Sequence, residues 1–228
     1  MRIIFVRHGH PDYAKDCLTD LGNKQAQAVA KRLKEEGIQK IYSSSCGRAV
    51  ETAEYTAREF LLTIERCDFA REIRWGSLDE KPIRKDDNLW KTVEDMVEKG
   101  QSLLHTDWMD MEPFCRNKVV SHVKRVSQST DAWLSTLGYE REGDFYRVGA
   151  NTDKTIAMFS HGGSSSAMLA RLFNLPFPFV CSAIRPRFTA ITILSLSNET
   201  GALVSPEFEI MNDARHIQNL QVENMYGT

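Results

Sequence analysis

Two arginines and two histidines stand just after segments predicted to be β-strands. Arg7 and His8 follow the first such segment, Arg48 follows the second, and His161 follows a third late in the chain. Ligands of open α/β sheets bind outside the carboxyl ends of the strands, so we expect these side chains to converge at one edge of a sheet. Arginine is suited to fork-like recognition of phosphate or carboxylate oxygens. The pattern therefore predicts a pocket for a small dianion.

The elements that must position these residues alternate between strand and helix. β-Branched and aromatic runs bounded by turn residues predict strands over residues 3–6, 39–43, 155–160, 189–196 and 203–210. Helical spacing and end signals predict helices between Thr19 and Gly37, over 48–61 and over 164–173. This order predicts an α/β fold with three layers, α/β/α, around a mostly parallel central sheet.

The segment from about residue 77 to 145 differs in character from the rest of the chain. It is strongly charged, has helical periodicity and contains three of the four tryptophans, Trp90, Trp108 and Trp133. We expect it to be a helical, cap-like insertion over the C-terminal edge of the strands. The length predicts a single domain spanning residues 1–228.

The composition is that of an ordinary globular protein with little net charge. The 228 residues include 29 Lys and Arg against 31 Asp and Glu, and 42% are hydrophobic. This balance, without a basic block, argues against nucleic acid or a membrane surface as the main partner. No apolar stretch suits a signal peptide or a membrane span, so we expect a cytoplasmic protein. Five scattered cysteines predict free thiols rather than disulfides or a zinc site.

Three of four short motifs lie at or beside predicted strand ends, and the other lies at the start of the first predicted helix. The four motifs are Arg-His-Gly at 7–9, Leu-Thr-x-x-Gly-x-x-Gln-Ala at 18–26, Ser-Ser-x-x-x-Arg-Ala-x-x-Thr-Ala at 43–53 and Ser-His-Gly-Gly at 160–163. In this order they resemble the histidine phosphatase superfamily, which has the phosphoglycerate-mutase-like fold. The resemblance covers the first 80 residues and residues 155–217. It implies chemistry on a small phosphorylated substrate with no cofactor and no metal.

The resemblance also implies roles for individual residues. His8 matches the family's nucleophile, whose imidazole takes up the phosphoryl group to form a phosphohistidine. Arg7, Arg48 and His161 match the cationic pocket that holds the phosphoryl oxygens and the charge that develops on them. His161 is therefore expected to be both a phosphate-binding and a catalytic residue.

Glu72 matches the family's proton donor, a glutamate four residues before a glycine, here Gly76. Such an acid would protonate the departing alkoxide, and its conjugate base would then activate the water that hydrolyses the phosphohistidine. Spacing alone instead favours a surface carboxylate paired with Arg71 or Arg74. A nearby dianion would raise the pKa of Glu72, whereas the adjacent arginines would lower it.

Three other titratable residues admit more than one interpretation. His10 forms a His-x-His pair with His8 that could hold a metal, but no third ligand is evident, and a position in the pocket wall is favoured. Cys46, inside the arginine motif, is interpreted as a small buried side chain rather than a redox group. His216 resembles a recurrent structural element near the C-terminus of family members.

The expected reaction is hydrolysis of a phosphomonoester. Phosphoglycerate mutases of the resembled family usually continue from Arg-His-Gly into a Ser/Thr-x-Trp-Asn stretch, whereas this chain continues from His10 to Tyr13 as His-Pro-Asp-Tyr. Mutase-type phosphoryl transfer and non-catalytic binding of a phospholigand are the alternatives. A second anionic group could be bound by basic residues of the insertion and the later chain, which are Lys81, Arg84, Lys85, Arg116, Arg185 and Arg187.

Overall fold

The computed structural model describes residues 1–81, 88–149 and 153–220. The strands in these ranges are β1 (Arg2–Arg7), β2 (Pro11–Asp12), β3 (Cys17–Leu18), β4 (Lys40–Ser44), β5 (Ile64–Cys67), β6 (Tyr139–Glu142), β7 (Phe145–Val148), β8 (Thr155–Ser160), β9 (Ile191–Ser195), β10 (Leu203–Val204) and β11 (Glu207–Asp213). The α-helices are α1 (Asp20–Arg32), α2 (Gly47–Phe60), α3 (Leu89–Glu98), α4 (Val119–Thr136), α5 (Gly162–Phe173) and α6 (Phe177–Ala183).

The central sheet has six strands in the order β11-β9-β1-β8-β4-β5. The strands β1, β8, β4 and β5 run parallel to one another, whereas β9 and β11 are antiparallel to their neighbours. In the register of β1 and β8, Arg7 lies opposite Ser160. His8 follows Arg7 and His161 follows Ser160. The two histidines therefore lie at the same edge of the sheet.

Helices cover both faces of the sheet because β1 and its neighbours alternate apolar residues between the two sides. Ile4 and Val6 pack with apolar residues of α1 and α2, while Ile3 and Phe5 pack with those of α4, α5 and α6. All four β1 residues are at most 2% exposed. Strands buried on both faces are typical of parallel sheets between helical layers. The predicted three-layer fold is confirmed.

Three boundaries differ from the sequence-based prediction. The helix expected to begin at residue 164 begins at Gly162, so the Gly-Gly pair forms its first turn rather than a preceding loop. The strand expected over 203–210 is two strands in different sheets, β10 and β11. Pro206 lies between them and has no backbone N–H to donate to a ladder. The strand β5 was not predicted, because its edge position leaves two of its four residues exposed.

The segment expected to be a helical insertion contains two helices and a hairpin. The helix α4 packs against α5 on the sheet face, where the Trp133 ring meets the Tyr42 ring edge-on at 5.3 Å between centroids. The helix α3 packs against α6 instead. The strands β6 and β7 form an antiparallel hairpin that β10 extends to three strands. No helix in the described part of the chain is long and apolar enough to cross a membrane.

Candidate active site

His8 directly follows β1 and presents one ring nitrogen to the sheet edge. The residue is 1% exposed, and its Nδ1 lies 2.7 Å from the carbonyl oxygen of Gly9. Since a carbonyl oxygen can only accept a hydrogen bond, Nδ1 carries the proton and Nε2 keeps its lone pair. The Nε2 atom of His8 therefore carries the reactive lone pair, which accepts a long hydrogen bond from Nε of Arg48.

The surroundings of His8 favour the neutral imidazole. Burial lowers the pKa of His8 well below its usual value, and the positive charges of Arg7 and Arg48 lower it further. The hydrogen bond to Gly9 acts in the opposite direction and is a smaller effect. An imidazole with a low pKa keeps its lone pair at neutral pH, as a nucleophile must.

Arg7 supplies the first positive charge beside His8. Its Nη1 donates to the carbonyl oxygen of Pro186 at 2.8 Å, and its guanidinium carbon lies 4.3 Å from the centroid of the Phe188 ring. Burial is the main cause that lowers the pKa of Arg7, which remains charged because guanidinium groups do not deprotonate in proteins. Pro186 and Phe188, next to β9, thus fix the guanidinium at the sheet edge.

Arg48 supplies the second positive charge from the first turn of α2. Its Nε lies 3.4 Å from Nε2 of His8, while its Nη1 forms an ion pair with Asp16. The other carboxylate oxygen of Asp16 accepts the Gly47 backbone N–H at 2.8 Å. The Nε and Nη2 groups of a guanidinium form one fork-like edge, and Nη1 lies outside it. Asp16 therefore holds the far side of Arg48 and leaves the Nε edge directed at His8.

His161 faces His8 from the end of the adjacent strand β8. The two ring centroids are 5.1 Å apart, and the Nε2 of His161 lies 2.8 Å from the Oγ of Ser44 at the end of β4. Burial lowers the pKa of His161 well below its usual value, and the charges of Arg48 and Arg7 contribute. Ser44 fixes the ring orientation, so neighbouring strand ends bring His8, His161 and Ser44 together.

Glu72 docks on the N-terminus of α5. Its Oε1 accepts the backbone N–H groups of Ile73 and Ser164, both at 3.0 Å, and its Oε2 accepts that of Gly163 at 3.4 Å. Burial raises the pKa of Glu72, although Arg7 and the N–H donors oppose this shift. The carboxyl group therefore contacts the helix start and not the side chain of Arg71, which donates to Ser45.

Two motif glycines are required because neighbouring atoms come too close for a side chain. A Cβ on Gly163 would lie 2.6 Å from Cγ1 of Ile73 and 2.8 Å from Oε1 of Glu72. A Cβ on Gly22 would lie 2.2 Å from the carbonyl oxygen of His10. These distances are shorter than any van der Waals contact. The second glycine of the Ser-His-Gly-Gly motif thus makes room for Glu72, and Gly22 lets α1 pack against the turn after β1.

The other singled-out titratable residues lie around this site. The Nδ1 of His10 is 2.9 Å from the Oγ1 of Thr19. Cys46 is the buried N-cap residue of α2 and makes no capping hydrogen bond with its side chain. The Nε2 of His216 lies 3.1 Å from Thr189, and burial lowers the pKa of His216 to about 4. Within residues 1–81, 88–149 and 153–220, no His, Cys, Asp and Glu side chains form a group that could hold a metal.

Two of the described basic residues that were expected to bind a second anion are already paired with glutamates. Arg116 pairs with Glu112 at 2.9 Å, and Arg185 pairs with Glu94 at 2.8 Å. Arg187 is partly buried and Lys81 is exposed. Arg84 and Lys85 lie outside the described residues.

Several residues that hold these groups were not found from the sequence. Asp16 has a left-handed backbone, with φ at 51°, in the turn between β2 and β3, and the ring of Tyr13 in the same turn lies edge-on to His8. Phe188 supports Arg7. Phe188 lies just before β9, which is antiparallel to β1. This position places it at the sheet edge where β1 ends and could have identified it from the sequence. No signal links Asp16 to Arg48, because the two are brought together only by folding.

Comparison with known proteins adds an independent observation. A family model described as the histidine phosphatase superfamily, branch 1, matches residues 3–112. Over these residues the chain is similar to the histidine phosphatase superfamily. The matched residues include Arg7, His8, Arg48 and Glu72, and the resemblance carried by the motifs is confirmed.

Curated relatives of the chain include probable phosphoglycerate mutases named GpmB. The relative from Proteus mirabilis is 28% identical over 122 aligned positions, which cover 46% of this chain and 57% of the relative. The relative from Yersinia pestis is 33% identical over 92 positions, which cover 36% and 43%. The chain thus spans about half the length of the curated relatives it matches.

Several solved structures share the fold over nearly the whole chain. A phosphoserine phosphatase from Entamoeba histolytica, in complex with 3-phosphoglyceric acid, has a TM-score of 0.63 at 19% identity and covers 95% of this chain and 98% of its own. A mycobacterial glucosyl-3-phosphoglycerate phosphatase has a TM-score of 0.63 at 20% identity and covers 93% and 99%. Proteins named as mutases therefore match part of the sequence, and proteins named as phosphatases share the fold.

Proposed function

We propose that the protein is a metal-independent phosphomonoester hydrolase that acts on a small phosphorylated metabolite in the cytoplasm. The observation that carries the proposal is the arrangement at His8. Its Nε2 keeps a lone pair, the Nε of Arg48 lies 3.4 Å away, and Arg7 is the neighbouring residue. A neutral nucleophile next to two fixed positive charges is suited to attack on a phosphate dianion.

In the first step, His8 Nε2 attacks phosphorus and forms the P–N bond of a phosphohistidine. The bond from phosphorus to the alcohol oxygen breaks, and its electron pair goes to that oxygen. Arg7, Arg48 and His161 stabilise the charge on the phosphoryl oxygens. Glu72 donates its proton to the leaving oxygen, for which the raised pKa of its carboxyl group is favourable.

In the second step, the Glu72 carboxylate accepts a proton from water, and the water oxygen attacks phosphorus. The P–N bond breaks, its electron pair returns to His8 Nε2, and inorganic phosphate leaves. The second step regenerates the free His8 and the protonated Glu72 that the first step uses. The two steps therefore complete a cycle without a metal. Residues that hold Glu72 against α5 therefore serve both steps.

The test is release of phosphate from a panel of aryl and alkyl monophosphates by the purified protein in the presence of EDTA. We expect turnover that EDTA does not change. If EDTA abolishes turnover and added divalent metal restores it, the proposal is wrong. Incubation with 3-phosphoglycerate distinguishes the mutase alternative, which the curated relatives support, because a mutase yields an isomer rather than phosphate.

Asp16→Asn is expected to lower kcat/KM by roughly tenfold, because the ion pair that orients the Nε edge of Arg48 is lost. Steady-state kinetics with one aryl phosphate measures the effect. Glu51→Gln is the matched control, since Glu51 accepts the Leu18 backbone N–H at 2.6 Å and so holds the same hairpin on α2 through its backbone rather than through Arg48. Equal losses in both variants would assign Asp16 to hairpin stability alone.

A further inference from the structure

A cleft lies between α3 and α6, next to the candidate active site. It has a volume of about 260 Å³, and its walls include Trp90, Val93 and Val97 from α3 together with Cys181 and Arg185 from the α6 side. We call it the Trp90 cleft. The mechanism proposed above uses none of these five residues.

One wall residue of the Trp90 cleft, Trp90 itself, lies against the start of α5 close to Arg7. The point where a Cβ of Gly162 would lie is 3.3 Å from Cζ2 of Trp90 and 3.7 Å from the guanidinium carbon of Arg7. The Trp90 indole and the Arg7 guanidinium therefore both lie against Gly162. The next two residues, Gly163 and Ser164, donate their N–H groups to Glu72. Trp90 therefore lies within two residues of the backbone N–H groups that hold the proposed proton donor.

The lining of the cleft suits an apolar group better than a second anion. Val93 and Cys181 are 2% exposed and form its floor, whereas Val97 is 53% exposed and forms part of its rim. The charge of Arg185 is already balanced by Glu94 at 2.8 Å, and its guanidinium lies over the Trp90 ring at 5.1 Å. An anionic substrate group would have to displace Glu94, whereas an apolar group needs only the exposed valine and indole surfaces.

We propose that the Trp90 cleft binds the alcohol portion of the substrate and selects phosphomonoesters of apolar alcohols. This inference rests on the proposed hydrolase function, because that function places the leaving group beside Glu72. Apolar contact of this kind distinguishes substrates by about tenfold for a small group.

The experiment compares kcat/KM for 2-phenylethyl phosphate and glycerol 1-phosphate, which both release a primary alkoxide. We expect a preference for the phenylethyl ester of about tenfold. Val97→Ser should reduce this preference by about fivefold, because it removes apolar surface from the rim. Leu104→Ser is the matched control, since Leu104 is 60% exposed and does not line the cleft, and it should leave the preference unchanged.

Calorimetric binding of the two corresponding phosphonates separates this inference from the hydrolase function. If neither ester is hydrolysed, the hydrolase function fails, and the phosphonate affinities still test the cleft. Tighter binding of the phenylethyl phosphonate that Val97→Ser weakens would support the cleft in that case. A preference for the glycerol compounds, or an equal effect of Val97→Ser and Leu104→Ser, would overturn the inference.

Discussion

Replacing His8 by alanine is expected to lower phosphomonoesterase activity by about 10⁴-fold or more, to the background rate. The reason is that His8 Nε2 is the neutral ring nitrogen beside Arg48, while the ring of His10 is engaged with Thr19 through its Nδ1. Steady-state kinetics measures the loss. Brief incubation of the unaltered protein with radiolabelled substrate should trap a phosphoenzyme that is labile in acid and stable in base, and the variant should trap none.

His105→Ala is the control for this experiment, because His105 is a half-exposed histidine in an ion-pair contact with Asp107. It should keep full activity and the trapped intermediate. Substantial turnover by the His8→Ala variant would place the nucleophile elsewhere, and the phosphohistidine mechanism would have to be abandoned.

Glu72→Gln is expected to slow phosphorylation by an alkyl phosphate by roughly 10²- to 10⁴-fold. The loss with a nitrophenyl ester should be distinctly smaller, since a nitrophenolate is a stable leaving group and needs little protonation. Single-turnover phosphorylation rates are the proper measurement, because Glu72 would also act as the base in dephosphorylation and overall turnover mixes both steps.

The pH dependence of the same rates gives a second readout. Phosphorylation requires protonated Glu72, so its rate should fall as the pH rises through the pKa of this carboxyl group, which burial places above the usual value. In the Glu72→Gln variant, the rate should not show this fall at high pH. Glu65→Gln is the control, because Glu65 pairs with Lys40 away from the site. Equal losses with both leaving groups would instead give Glu72 a positioning role.

Sequence patterns predicted the strands that carry the site because those strands are buried on both faces. Such strands appear as short apolar runs, as in β1 and β8, and their polar successors lie together because parallel strands end at one edge. The hairpin β6–β7 was missed because it lies in a charged segment that has helical periodicity. Its strands are recognisable only when paired with each other and with β10.

The supporting contacts of the site were beyond sequence reasoning for a different reason. Glu72 on spacing alone looked like a surface carboxylate, and only the family resemblance assigned it a role. Its actual partners are backbone N–H groups about 90 residues later in the chain, at the start of α5. Arg7 likewise rests on Pro186 and Phe188. Backbone N–H donors leave no pattern in the sequence, because every residue except proline carries one. The direction of a backbone donor or of a ring face depends on the complete fold.

The position of β8 between β1 and β4 has a consequence for how the protein is made. During synthesis on the ribosome, β1 and β4 emerge early, but they are not neighbours in the finished sheet and cannot pair correctly until residues 155–160 arrive. His161 and the start of α5, which receives Glu72, emerge at the same moment. Until then, three of the four motifs lie on a nascent chain whose strand edges are unpaired. Chains with such exposed edges are prone to aggregate and are protected by chaperones. Arrival of this strand joins β1 to β4 and brings His161 to the reactive centre, and β9 and β11 extend the sheet afterwards.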